Sequence, residues 1–235
     1  MEIDLLRASA SRFDCLKKST ETIFENLKFS GTLRHILHED VLDKDQSRKL
    51  VHWAKYSGLF DVIKVDDPPL KQGPSMDWLV AQTVSKYFLF WEDDITLARE
   101  LDLDHVVKLM EENPDINQIT FQKRKIMSRR RDWIKKEVDR SGQRLTTNPN
   151  WSNIPSLWRR DFIIPLWVCP SPKSPAASIE INRAVKQQKQ GDGVKRGPDW
   201  MIDNVGNYFY GAVGTPRYVD HIQGFSARTG KDEEY

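Results

Sequence analysis

The sequence predicts an α/β fold: strands alternating with helices around a mostly parallel sheet, followed by a less regular half. Three observations predict it. Over residues 1–95, short apolar runs of strand length alternate with segments of helical period, joined by short connections. Each apolar run stops at polar residues: Arg7/Ser9, Glu39/Asp40, Asp66/Asp67 and Glu92/Asp93/Asp94. The last run, FLFWEDDI (88–95), drives four large hydrophobic residues into three acids, which cannot enter a dry core without a counter-charge.

The elements follow in order. Ile3, Leu5 and Leu6 form a first strand that ends in the small-residue loop Arg7-Ala8-Ser9-Ala10-Ser11. Positions 13, 16, 20, 23, 24 and 27 then carry helical spacing. Thr32–Leu37 is a second strand, stopping at His38-Glu39-Asp40. Gln46–Ser57 is an amphipathic helix closed by Gly58. Phe60–Val65 is a third strand. Gly73-Pro74-Ser75 opens a third helix, with Met76, Leu79, Val80, Thr83, Val84 and Tyr87 on one face. The second half is plainer: a helix over Asp104–Glu112, a strand over Ile116–Gln122, and a densely basic stretch over Lys123–Arg140. A loop follows over Ser141–Pro155. Further loops span Pro170–Ala176 and Gln187–Gly197, a helix opens at Pro198 and runs to Tyr208, and a late strand covers Tyr218–His221.

Bulk properties narrow the class. A chain of 235 residues with 39% hydrophobic and 30% charged residues buries a sizeable core and is not a disordered segment. A net charge of +2 is too weak to argue for nucleic acid. Cys15 and Cys169, the two cysteines, exclude a disulfide scaffold and suit a reducing compartment. No apolar run reaches the roughly 20 residues that span a bilayer. The N-terminal MEIDLLRAS lacks a signal-peptide core. The expected location is therefore cytoplasmic or peripheral to a membrane.

In open α/β sheets, ligands bind beyond the carboxyl ends of the strands. Four polar clusters at four such ends would surround one crevice. At the last of them, Glu92-Asp93-Asp94 offers hard oxygen ligands of the kind Mg²⁺ and Mn²⁺ take, together with phosphate oxygens. An ion held there would neutralise a diphosphate and help it depart. The alternative is structural: Asp93 or Asp94 could cap a helix running through Ala98.

YFLFWEDDI (87–95) resembles the acidic metal motif of GT-A glycosyltransferases, in particular the family 2-like group. NIPSLWRRDFI (153–163), PDWMIDN (198–204) and RYVDHIQG (217–224) are similar to further segments of that group and fall in the same order. The resemblance implies one GT-A domain over 1–235, with a Rossmann-like nucleotide-sugar-binding half (1–97) and an acceptor-binding half (98–235). It implies a metal-dependent enzyme that moves a hexose from a UDP- or GDP-sugar to a hydroxyl acceptor, with inversion. The acceptor would be a glycan or lipid-linked.

Carried over by position, Glu92, Asp94 and His221 would hold Mn²⁺ or Mg²⁺, and an imidazole ligand favours manganese. Asp93 would touch the donor's ribose or sugar. Arg7 and Ser9 would face the nucleotide, Glu39 or Asp40 would bond its base or ribose, and Lys71 and Gly73 would line its path. Asp199 would be the catalytic base that takes the acceptor's proton. Asp203, one turn on, is the fallback, and Asp161, which follows the NIPSL segment, is the third choice; this chain departs from the pattern in carrying a single acid after Pro198 where many relatives carry two.

Trp151 and Trp200 flank the acceptor motifs, where an aromatic face can stack on sugar or simply fill the core. Lys123–Arg140 reads as a solvated face or as a surface for anionic ligands. Two other functions compete. A metal-dependent nucleotidyltransferase or phosphohydrolase would use the same acids, but the chain lacks GxxxxGK[ST]. A basic nucleic-acid-binding module would leave the acidic strand ends unexplained.

Overall fold

The computed structural model describes residues 1–70, 72–121, 137–148, 155–167 and 206–222. The expected alternation is present through the first half. It runs β1 (Glu2–Ser9), α1 (Phe13–Asn26), β2 (Leu27–Lys28), β3 (Thr32–Asp40), α2 (Lys44–Ser57), β4 (Val62–Asp66), α3 (Gln72–Ala81) and β5 (Tyr87–Glu92). The second half contributes β6 (Ile95–Leu97), β7 (Leu101–Asp102), α4 (Leu103–Glu112), β8 (Gln118–Thr120), β9 (Glu137–Arg140) and β10 (Gln143–Thr147). It ends with β11 (Ser156–Arg159), α5 (Arg160–Trp167), β12 (Asn207–Tyr210) and β13 (Val219–His221).

Nine strands form one sheet in the order β4-β3-β1-β5-β11-β8-β12-β10-β9. The first four are mutually parallel. β11 enters antiparallel to β5 and makes the second half of the sheet mixed. The central strand β5 is covered on both faces, which is why its sequence is a continuous hydrophobic run and not an alternating one. Tyr87, Leu89 and Trp91 pack with Ile3, Leu5 and Val106 on one face. Phe88 and Phe90 pack with Leu6, Ile36 and the α3 residues Met76, Leu79 and Val80 on the other.

Strand register levels the ends. Ala8 of β1 lies opposite His38 of β3 on one side and Glu92 of β5 on the other. Ser9 lies opposite Glu39, and Asp40 opposite Asp66. The four polar clusters therefore finish at one edge of the sheet, as the sequence pattern requires.

Some boundaries differ from expectation, each for a physical reason. α2 begins at Lys44, because Asp43 caps it by accepting from the amides of Asp45 and Gln46. α3 stops at Ala81, so Thr83, Val84 and Tyr87 do not share its face; Tyr87 opens β5. Asp93 and Asp94 sit in a turn between two strands and do not cap a helix.

Ser141–Pro155 was expected as loop, yet Gln143–Thr147 is β10, paired antiparallel with β9. Its polar residues hide the strand, and the two-residue turn Ser141-Gly142, both at positive φ (50° and 79°), closes the hairpin. A helix reaching Tyr208 is excluded at its far end, since Asn207 and Tyr208 lie in β12. β2, β6 and β7 are too short to carry a period. The bulk of the basic stretch, the two loops at 170–176 and 187–197, and the helix start at Pro198 lie outside the described residues. No helix among the described residues is long and apolar enough to cross a membrane.

Candidate active site

The site is built on the turn after β5. Glu92 closes the strand and is half-buried, Asp93 is fully buried and Asp94 nearly so. Their charge is met from the β1–α1 loop. Arg12 Nε donates to Asp93 Oδ2 (3.0 Å), Nη2 donates to Asp93 Oδ1, and Nη1 donates to Asp94 Oδ2 (2.8 Å). Burial pushes the Asp93 carboxyl above its ordinary pKa, Arg12 opposes this, and the neighbouring Asp94 adds to it.

β13 brings in the histidine. It pairs antiparallel with β6, setting His221 opposite Ile95, and the Ile222 amide donates to the Asp94 carbonyl (2.8 Å). His221 Nε2 then lies 3.1 Å from Asp94 Oδ2, with its ring half-exposed. Two ligand atoms at about 2.1 Å from an ion and at right angles are about 3 Å apart, so this pair already matches one edge of an octahedral site. His221 Nδ1 is 3.2 Å from the Ile222 carbonyl. A proton on Nδ1 donated there leaves the Nε2 lone pair for a cation. Asp94 and His221 thus fit a divalent ion as a pair, and the half-buried Glu92 ends the strand that precedes them.

The other predicted residues take several places. Arg7, expected to face the nucleotide, is fully buried beneath α1. Its Nη2 donates to Ser19 Oγ (2.8 Å) and its Nη1 to Thr20 Oγ1 (3.4 Å). Burial lowers its pKa to about 10 against the pull of Asp93 and Asp94. It underlies the acids and does not line the crevice.

Ser9 and Glu39 face one another across β1 and β3, both buried. Glu39 Oε1 accepts from the Ser11 amide (2.9 Å) and hydroxyl (3.3 Å). Ser11, at φ 57°, accepts in turn from the amides of Leu42 and Asp43 (2.9 Å each). Glu39 therefore ties down the loop that carries Arg12. Asp40 does the same for the approach to α3: its oxygens accept from the Leu70 amide and the Ser75 hydroxyl, 2.9 Å each. Gly73 lies in the first turn of α3. Asp161 is exposed on α5, 3.6 Å from Arg160. Lys71, Trp151, Asp199, Trp200 and Asp203 lie outside the described residues.

A second candidate metal group lies at the ends of β3 and β4. His38, Asp40 and Asp66 hold ligand atoms within 4.8 Å of one another. These donors are bonded to their neighbours, as Asp94 Oδ2 is to Arg12. His38 Nε2 is 2.7 Å from Asp66 Oδ2, which also accepts from Lys64 (2.8 Å), and Asp40 holds Leu70 and Ser75.

Burial pushes the pKa of Glu39 up to about 7, against Ser47, Ser9 and the Ser11 amide, which pull it down. A carboxyl whose pKa is raised on folding favours the protonated native state. Its stabilising share is complete below its free value of 4.5 and is lost as pH rises through about 7. At full burial this amounts to about 3 kcal/mol at most. Glu39→Gln should therefore flatten the fall in stability between about pH 5 and pH 8, read as urea midpoints across that range. An unchanged slope would show that Glu39 titrates as an exposed acid.

Arg12 was missed from the sequence, although a signal existed. A cation at a helix N-terminus opposes the helix dipole, and Arg12 makes no side-chain cap. A residue so badly suited to its helix position is held there by something else, here two carboxylates.

No protein-family model and no curated protein matches the chain's sequence. Its structure does have solved counterparts. One is the mannosyltransferase PcManGT from Pyrobaculum calidifontis, in complex with GDP-Man and Mn²⁺ (TM-score 0.58, 9% identity, covering 88% of this chain and 56% of that one). Another is S. aureus TarS 1–349 in complex with UDP-GlcNAc (0.60, 10%, 99% and 60%). A third is GalNAc-T7 with UDP, GalNAc and Mn²⁺ (0.60, 10%, 93% and 43%). The chain thus spans roughly half the length of these structures. At such low identity the likeness speaks to the fold, and the fold it establishes for this chain is the GT-A fold of nucleotide-sugar glycosyltransferases.

Proposed function

We propose that this chain is a metal-dependent glycosyltransferase that moves a hexose from a UDP- or GDP-sugar to a hydroxyl of a glycan or lipid-linked acceptor, with inversion. One observation carries the reading. On a GT-A fold, the chain sets Asp94 and His221 together at the carboxyl edge of the parallel strands.

The donor's nucleoside lies over the Ser9–Ser11 loop, the end of β3 and the first turn of α3, near Asp40 and Gly73, and Lys71 is assigned to its path by sequence position alone. Its diphosphate points to Glu92, Asp94 and His221. A divalent ion bound there supplies charge neutralisation for the departing diphosphate. Asp199 accepts the acceptor hydroxyl's proton as that oxygen attacks the anomeric carbon. The bond from that carbon to the diphosphate oxygen breaks, and the nucleoside diphosphate leaves with the electron pair. Glu39 and Arg7 act from below, fixing the loop and balancing the acids. The family 2-like assignment, the division at residue 97 and a cytoplasmic or peripheral location belong to the same proposal.

A thermal-shift panel tests it. UDP-, GDP-, CMP- and dTDP-sugars are compared with and without Mn²⁺. A ligand near 100 Kd adds about 2.7 kcal/mol of stability. We expect one nucleotide family to stabilise the chain, and only with the metal. No shift from any donor, together with salt-sensitive RNA or DNA binding, would instead favour the basic-module alternative.

A further inference from the structure

The three acids do not share one task, and Arg12 is what separates them. Asp93 is fully buried, and both of its oxygens accept from one edge of the Arg12 guanidinium, through Nε and Nη2. The third nitrogen, Nη1, reaches Asp94 Oδ2, the same oxygen that lies 3.1 Å from His221 Nε2. A guanidinium is planar and its donors diverge in fixed directions. Binding two carboxylates through it therefore fixes each relative to the other, as a rotatable ammonium cannot.

The backbone beneath Arg12 is fixed as well. The preceding residue, Ser11, is pinned to Glu39, Leu42 and Asp43, and the Arg12 carbonyl accepts from the Leu16 amide (3.0 Å). A rigid path thus runs from the end of β3 through Ser11 and Arg12 to Asp94.

We propose that Arg12 is a positioning residue for the metal site: it locks Asp93 as a buried support and, through it, holds Asp94 in register with His221. This rests on the metal reading given above. On this account Asp93 touches neither metal nor donor. Arg12 acts as the outer partner that orients a ligating carboxylate, a class of group whose loss weakens metal affinity by about 10–100-fold.

A simpler role, bulk neutralisation of the acids, makes the opposite prediction. Removing a positive charge from beside the site would then tighten a cation's binding.

Mn²⁺ binding to the full chain, measured by titration calorimetry and by the EPR signal of free Mn²⁺, separates these. Asp94→Asn serves as the site control. Arg12→Lys keeps the charge beside Asp93 but cannot fork to both acids, and should raise the Mn²⁺ Kd about 10-fold. Arg12→Gln should raise it at least as much. Asp93→Asn should weaken binding too, and should add little in the Arg12→Lys background, because both act through one contact. Wild-type affinity in Arg12→Lys, or tighter binding in Arg12→Gln, overturns the proposal; so does full additivity of Asp93→Asn. If Arg12→Gln fails to fold, Arg12→Lys decides alone. Wild-type protein that binds no Mn²⁺ sinks the metal reading and this inference together. Wild-type binding that is lost in Asp94→Asn but kept in Arg12→Lys removes this inference only.

Discussion

On the proposed function, Asp94→Asn should abolish Mn²⁺-dependent sugar transfer and leave the chain folded. Asp94 Oδ2 lies at octahedral-edge distance from His221 Nε2. Asparagine keeps a carbonyl oxygen of similar shape but loses the charge that a hard divalent ion requires. Loss of an outer-shell partner alone costs about 10–100-fold in affinity, so loss of the ligand should exceed that. The fold should survive because the Asn carbonyl still accepts from Arg12, whose other two bonds run to Asp93. We expect about 1–2 kcal/mol of destabilisation, the loss of a charge-assisted hydrogen bond. The measurements are initial rates of sugar transfer with Mn²⁺ present and a urea melt. Transfer at the wild-type rate would mean that the ion sits elsewhere, and the His38–Asp40–Asp66 group would be the next place to look.

Asp199→Asn gives the second large effect, of a different kind. A general base contributes about 10²–10⁴-fold to the rate, and an amide cannot take the proton. Transfer should fall by that order. Donor binding, read as the Mn²⁺-dependent thermal shift with the nucleotide sugar, should stay within about twofold, since the metal and nucleotide residues are untouched. This separation of rate from binding distinguishes a base from a donor ligand. If both fall together, Asp199 holds the donor. If neither falls, the role passes to Asp203, and the same pair of measurements on Asp203→Asn decides it. A fall in rate also bears on stereochemistry, because a base that activates the acceptor belongs to single-displacement inversion.

Much of this could be read along the chain because the deciding forces are local. A strand buried on both faces must be apolar throughout, so Phe88–Trp91 announces itself. A helix that covers a sheet must repeat its apolar residues every three or four positions, as Leu16, Thr20 and Ile23 do, all buried on α1. Strand ends in parallel units must face one edge, so the acids at 39–40, 66–67 and 92–94 could be expected together. β10 escaped notice because its neighbours are polar and its pairing partner is supplied by a turn, not by a period.

What the sequence by itself determined, then, is the alternating α/β core and the edge at which its acids emerge. Those follow from burial patterns that each segment carries alone. The tertiary structure decided which charges meet. Arg12 and Asp93 are far apart in the chain, as are Asp94 and His221, and nothing in the intervening residues encodes their distance. They meet because β1 and β5 pair in parallel, and because β13 folds back along β6 to set His221 over Asp94. The same pairing buried Arg7 under α1 and brought Arg12 to the acids in its place. Burial is written into residue type, but which counter-charge answers a buried acid depends on strand register, and register is a property of the assembled sheet.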